Sequence, residues 1–112
     1  MGTMDHPIND SKGCGGVMRV APIGLAYPDA QEAFLLGCKS AAITHGHPTG
    51  YLSAGFLASL ISRIVLSEPI SGAISDSIRI LRRYKNHAEC LRAVEGVVDL
   101  LTMKAIYFDG PN

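Results

Sequence analysis

Residues 48–66 set the strongest limit on what this chain can become. The stretch is densely apolar, yet Ala54, Gly55, Ala58, Ser59 and Ser62 are all small. Small residues at three- and four-residue steps give a helix a shallow face, against which a neighbouring helix approaches closely. This pattern reads as the central helix of a bundle. Pro48 suits its first position, where the missing N–H would have had no helical partner, and Glu68-Pro69 breaks it.

The flanking segments fit the same architecture. Residues 1–16 read as extended or loop, with Pro7, Asn9-Asp10-Ser11 and the glycines as breakers. A short helix bent near Pro22 is expected over residues 17–26, with a strand over 17–25 as the competing reading. Next, Asp29 can cap a helix, with Glu32 three residues on as in a capping box. Its inward face is Phe34, Leu35, Cys38, Ala41 and Ala42, with Lys39 outward, and it ends near Thr44-His45-Gly46. A fourth helix over 71–84 sets Ile74, Ile78 and Leu81 against an opposite edge of Arg79, Arg82 and Arg83. Asn86 can cap a fifth, 87–104, with Leu91, Val94, Val97, Val98 and Leu101 inward, and Asp109-Gly110-Pro111-Asn112 reads as a turn or frayed end. Five helices with short connections make a compact all-α bundle, one domain over residues 1–112. Strand–helix alternation is missing, which argues against a Rossmann-like sheet.

Composition removes several function classes. The 47% hydrophobic content supplies a core, while 10 basic and 10 acidic residues create no field for nucleic acid or anionic membrane. Aromatics at 6% offer no stacking platform for single strands. Neither a signal peptide nor a membrane span is legible, since the apolar runs are interrupted. Cys14, Cys38 and Cys90 cannot all pair, and no CxxC occurs. Cys38 and Cys90 read as small buried hydrophobes, a usage that suits a reducing cytoplasm.

Chemistry concentrates in two places. The first is Lys12-Gly13-Cys14-Gly15-Gly16-Val17-Met18-Arg19, whose nearly bare backbone can bring N–H groups close to a ligand. Were a helix to begin there, those donors would sit at its positive end, where phosphate binds. It is not a Walker A loop, because Lys12 precedes the glycines, and Met18 occupies the last glycine's place in G-x-G-x-x-G. Two readings stand: capture of phosphate or ribose by the amides of residues 13–17, or a tight interhelical turn needing positive φ. Arg19 reads either as a phosphate contact or as half of a buried structural ion pair. The second place is Thr44-His45-Gly46-His47-Pro48-Thr49-Gly50-Tyr51. His45 and His47 are a weak metal pattern without a carboxylate pair nearby, and the plainer role is capping at a helix junction. Tyr51 reads as a core tyrosine. Arg79, Arg82 and Arg83 read as a solvated face. Asp76 and Asp99 stand alone on different helices, so nothing forms the paired carboxylates of acid–base or two-metal chemistry.

Taken together, the two segments resemble the ADP-ribosylglycohydrolase family: the first its glycine-rich loop ending in Met-Arg, the second its Thr-His segment leading into a small-residue helix. The resemblance runs from about Asn9 to the last helix. One departure lies in the loop, where Cys14 stands in place of the Asn found in many members. The resemblance implies a helical fold in which Gly13, Cys14, Gly15, Gly16, Val17, Met18 and His45 contact ADP-ribose, with Tyr51 flanking the cleft and His47 dispensable. It implies hydrolysis of the glycosidic bond joining ADP-ribose to a modified side chain, with two divalent cations, Mg2+ or Mn2+. Those ions are held in the family by an upstream Thr-Asp-Asp segment and a downstream Asp-x-Asp segment, neither of which occurs in these 112 residues. The expectation is therefore the central part of such a protein, inactive alone, with no catalytic or metal-ligating residue of its own. Apolar helix faces left uncovered would favour a homo-oligomer. An ADP-ribose or nucleotide-binding module without turnover, or a structural or interaction domain, are the alternatives.

Overall fold

The structure is a computed structural model and describes the backbone of residues 1–107 and the side chains of residues 1–100. It is all-helical: α1 (Gly15–Met18), α2 (Ala21–Ala26), α3 (Ala30–Ala42), α4 (Pro48–Val65), α5 (Ile70–Leu81) and α6 (Ala88–Tyr107). The expected inward position of Leu101 and the terminal turn over 109–112 lie outside the described residues.

α4 is the central helix. Its small face is fully buried, with Gly50, Ala54, Gly55, Ala58, Ser59 and Ser62 all enclosed. The closest approach is to α3, where a Cβ placed on Gly55 would stand 2.5 Å from Cys38 Sγ and 2.7 Å from the Phe34 carbonyl oxygen. On another side α2 lies against the same helix: a Cβ on Gly24 would meet Ile61 Cβ at 2.6 Å. The serines earn their burial by hydrogen bonding. Ser59 Oγ reaches Ser77 Oγ of α5 at 2.8 Å, and Ser62 Oγ donates to the Tyr27 carbonyl at 2.7 Å. Phe34 and Tyr84 close the core with stacked rings 4.8 Å apart.

Local signals explain most of the boundaries. Asp29 accepts from the amides of Gln31 and Glu32 at 2.8 and 3.2 Å, capping α3. His47 Nδ1 accepts from Thr49 N at 3.1 Å and caps α4, with Pro48 in its first turn. α4 stops before Glu68-Pro69. Ser67 takes φ 66°, and the amides of Ser67 and Glu68 close onto the carbonyls of Ile64 and Arg63. That is a Schellman ending with serine in the usual glycine position.

Four expectations need correction. The helix over 17–26 is two helices, because Pro22 has no N–H to continue the ladder from α1 and instead stands in the first turn of α2. No strand forms there. Leu35, placed inward by periodicity, is 37% exposed, since α3 turns Ala33, Phe34, Gly37 and Cys38 toward α4 instead. Asn86 does not cap the last helix: it takes φ 60° as the left-handed link before it. Among the described residues of α6, Cys90 is buried beside Ser53 and Leu91 and Val94 pack against the core as expected, whereas Val97 is 57% exposed. Val94, Val97 and Val98 line an apolar concavity of about 310 Å³ with Phe56, Ile70 and Ile74.

Candidate functional site

The glycine loop and His45 are brought together at the junction between α1 and the α3–α4 turn. A Cβ on Gly15 would stand 3.1 Å from His45 Cε1 and 3.2 Å from Nε2, and one on Gly13 would stand 3.7 Å from Nε2. Beneath them, a Cβ on Gly16 would meet Ala41 Cβ at 2.7 Å. The loop therefore lies flat on the imidazole because it has no side chains to hold it off. No glycine here has positive φ, so the tight-turn reading of these glycines is replaced by one of close approach.

Gly15 and Gly16 are helical, the first two residues of α1. Cys14 precedes α1 without a side-chain cap. Among the described residues the amides of Cys14, Gly15, Gly16 and Val17 have no hydrogen-bond acceptor, as expected for the first turn of a helix without a cap. α1 has only 4 residues, so it sums few peptide dipoles, and the donors rather than a macrodipole give the loop its character. Gly13, Cys14 and Gly15 are exposed, Gly16 is buried, Val17 is half-buried and Met18 is 79% exposed.

His45 is held from behind. Its Nδ1 lies 2.7 Å from Thr44 Oγ1 and 3.4 Å from Arg19 Nη2, and the same Arg19 nitrogen bonds Thr44 Oγ1. Arg19 is exposed and takes part in none of the described ion pairs, which corrects the buried-ion-pair reading. Neither Thr44 nor Arg19 was identifiable as a partner of His45 by spacing. Only the fold of α1 against the end of α3 joins them.

Asn9 is more than a breaker: it fastens the N-terminal segment to this junction. Its Nδ2 donates to the Thr44 carbonyl at 2.9 Å, and its Oδ1 accepts from Gly46 N at 2.9 Å and Ser11 N at 3.0 Å. A Cβ on Gly46 would stand 2.0 Å from the Asn9 carbonyl oxygen, so only glycine admits the segment. Lys12 adds a tie to α6, its Nζ 2.7 Å from Glu89 Oε1. The hydrogen bond from that ammonium holds the Glu89 carboxyl below the usual carboxylate range.

The remaining candidates behave as surface or structure. His47 is the cap of α4, and Tyr51 is 8% exposed within the core. Arg79, Arg82 and Arg83 are exposed, with Arg79 paired to Asp76 at 3.2 Å and Arg82 to Glu95 at 3.9 Å. Asp76 is not alone, because the α4–α5 turn brings Glu68 onto it. The Glu68 carboxyl is raised above its ordinary range, first by the hydrogen bond to Asp76. Arg63 Nε lies 3.5 Å from Glu68 and 3.6 Å from Asp76, so the group is a bridged ion-pair cluster. Among the described residues no three His, Cys, Asp or Glu side chains gather to hold a metal ion. The donors among the described residues thus do not fit a divalent centre. No described helix is long and apolar enough to cross a membrane.

A family model described as ADP-ribosylglycohydrolase matches residues 2–108. No solved structure matches the chain.

Proposed function

The chain belongs to the ADP-ribosylglycohydrolase family, and from that premise we propose that it supplies the glycine-loop side of an ADP-ribose site. In this reading Gly13, Cys14, Gly15, Gly16, Val17 and Met18 border the ligand, and His45 lines the same cleft. The observation that carries it is the set of amides from Cys14 to Val17 that have no partner among the described residues, beside an imidazole whose Nε2 has none among them either. Oxygens of a diphosphate are the natural acceptors for several main-chain N–H groups at once. The family's metal-assisted hydrolysis is assigned to acidic segments that this chain does not contain, so the chain by itself binds and does not cleave.

A structural reading of the loop is favoured by one specific observation. Gly15 and Gly16 are already required by His45 and Ala41, whatever binds above them. Calorimetric titration with ADP-ribose separates the two. Heat released at micromolar to millimolar ligand supports the site, and a flat titration removes it. Gly13→Ala is the informative variant, because its Cβ meets nothing closer than 3.6 Å and the fold accepts it. Loss of affinity in Gly13→Ala and His45→Ala is expected. Unchanged affinity in both would overturn the site assignment, and turnover of ADP-ribosyl-arginine, with or without magnesium, would overturn the claim that the chain does not cleave.

We also propose that the chain self-associates. Support comes from exposed apolar side chains at the α4–α5 connection and along α6, among them Val65, Leu66, Ile70, Val97 and Leu100.

A further inference from the structure

The contacts behind His45 fix more than its position. A guanidinium has only N–H donors and keeps its charge, so Arg19 can give hydrogen bonds but never accept one. Arg19 Nη2 donates to Thr44 Oγ1, and the Thr44 hydroxyl has one proton of its own to place. The only other partner of that hydroxyl among the described residues is His45 Nδ1, at 2.7 Å. Arg19 Nη2 also approaches Nδ1, at 3.4 Å. An Nδ1–H could donate to Thr44 Oγ1 and turn the exposed threonine proton to solvent, but it would also face the Arg19 N–H, donor against donor. With Nδ1 as a lone pair, the Thr44 hydroxyl and the Arg19 N–H both point donors at an acceptor, and that is the arrangement the guanidinium favours.

We propose that Arg19 and Thr44 are positioning residues that hold His45 in its neutral Nε2–H tautomer, with that N–H at the edge of the glycine loop. Donation runs from Arg19 to Thr44 Oγ1, and from Thr44 to His45 Nδ1. The ring's other nitrogen is thereby fixed as a donor. It lies where a Cβ on Gly15 would be 3.2 Å away, next to amides that are donors as well. The cleft then presents N–H groups from both main chain and side chain, a complement to phosphate oxygens or ribose hydroxyl oxygens. That last step rests on the ADP-ribose reading above; the tautomer itself does not.

Two-bond proton–nitrogen correlation spectra of histidine-labelled protein test it, recorded at about pH 8.5, above the ordinary imidazole range. The expected wild-type pattern is an unprotonated, hydrogen-bonded Nδ1 and a protonated Nε2. Thr44→Val, which keeps the shape and removes the hydroxyl, should move both nitrogens toward the averaged shifts of a freely exchanging ring. Thr44→Ser should restore them. A protonated Nδ1 in wild type, or a Thr44→Val spectrum identical to wild type, overturns the proposal. In a parallel ADP-ribose titration Thr44→Val should bind roughly 3- to 10-fold more weakly and Thr44→Ser like wild type, the scale of one weakened hydrogen bond. The expected spectra together with no ADP-ribose binding by wild type would uphold the relay and overturn the ligand reading.

Discussion

Gly55→Ala and Gly96→Ala place the same methyl group on two helices and should move stability in opposite directions. Each gains about 0.5–1 kcal/mol from replacing glycine inside a helix. At Gly96 nothing lies within 4 Å of the new Cβ, so the gain is kept whole. At Gly55 the new Cβ would fall 2.5 Å from Cys38 Sγ, 2.7 Å from the Phe34 carbonyl oxygen and 2.9 Å from Phe34 Cδ1. Cys38 and Phe34 are both 0% exposed, so neither can swing out into solvent. The carbonyl belongs to the α3 backbone, so relief requires the two helices to part. Gly37 tightens the same crossing, since its own Cβ would stand 3.0 Å from Gly55 Cα. Overpacking of this kind costs about 1–3 kcal/mol or more, and the upper end applies where main chain must move. The net loss expected for Gly55→Ala is about 1–2 kcal/mol. At roughly 4–8 °C per kcal/mol for a domain near this size, Tm should fall by roughly 5–15 °C. For Gly96→Ala it should rise by roughly 2–8 °C. Thermal melts followed by far-ultraviolet circular dichroism read both. Equal shifts of the same sign would refute the claim that helix approach, and not helix propensity, decides the residue at position 55.

Thiol reactivity should divide the three cysteines. Burial pushes the Cys38 thiol far up from its ordinary value, and Cys90 is raised by the same cause. Only Cys14 is exposed, so a chromogenic disulfide should titrate one thiol quickly in the native protein and the other two only on unfolding. Fast reaction of a second thiol would mean that the α3–α4–α6 contact opens readily. Sedimentation at tens of micromolar, the concentration scale of a weak association, should give a species heavier than one chain; a clean monomer contradicts self-association.

Much of the fold was legible in the sequence because its determinants act within a few residues. Asp29 caps α3 with its own carboxylate, Pro48 opens α4, and the small residues of α4 declare a close crossing without naming the partner. The candidate site was legible only as a pair of segments. Periodicity cannot tell that Arg19 reaches His45, that Asn9 clamps the Thr44–Gly46 backbone, or that Glu68 folds onto Asp76. Those pairings depend on the angles at which α1, α3, α4 and α5 cross.

The glycines mark the boundary between the two kinds of information. A bare backbone at residues 13–16 could be read directly, but two physical causes produce the same letters, left-handed φ and close contact. Local sequence does not distinguish them. The tertiary structure does, because the imidazole of His45 and the methyl of Ala41 fill the space where side chains would have stood. Chain-local energetics thus wrote the helices, while long-range packing determined which surfaces face one another and which donors were left unpartnered.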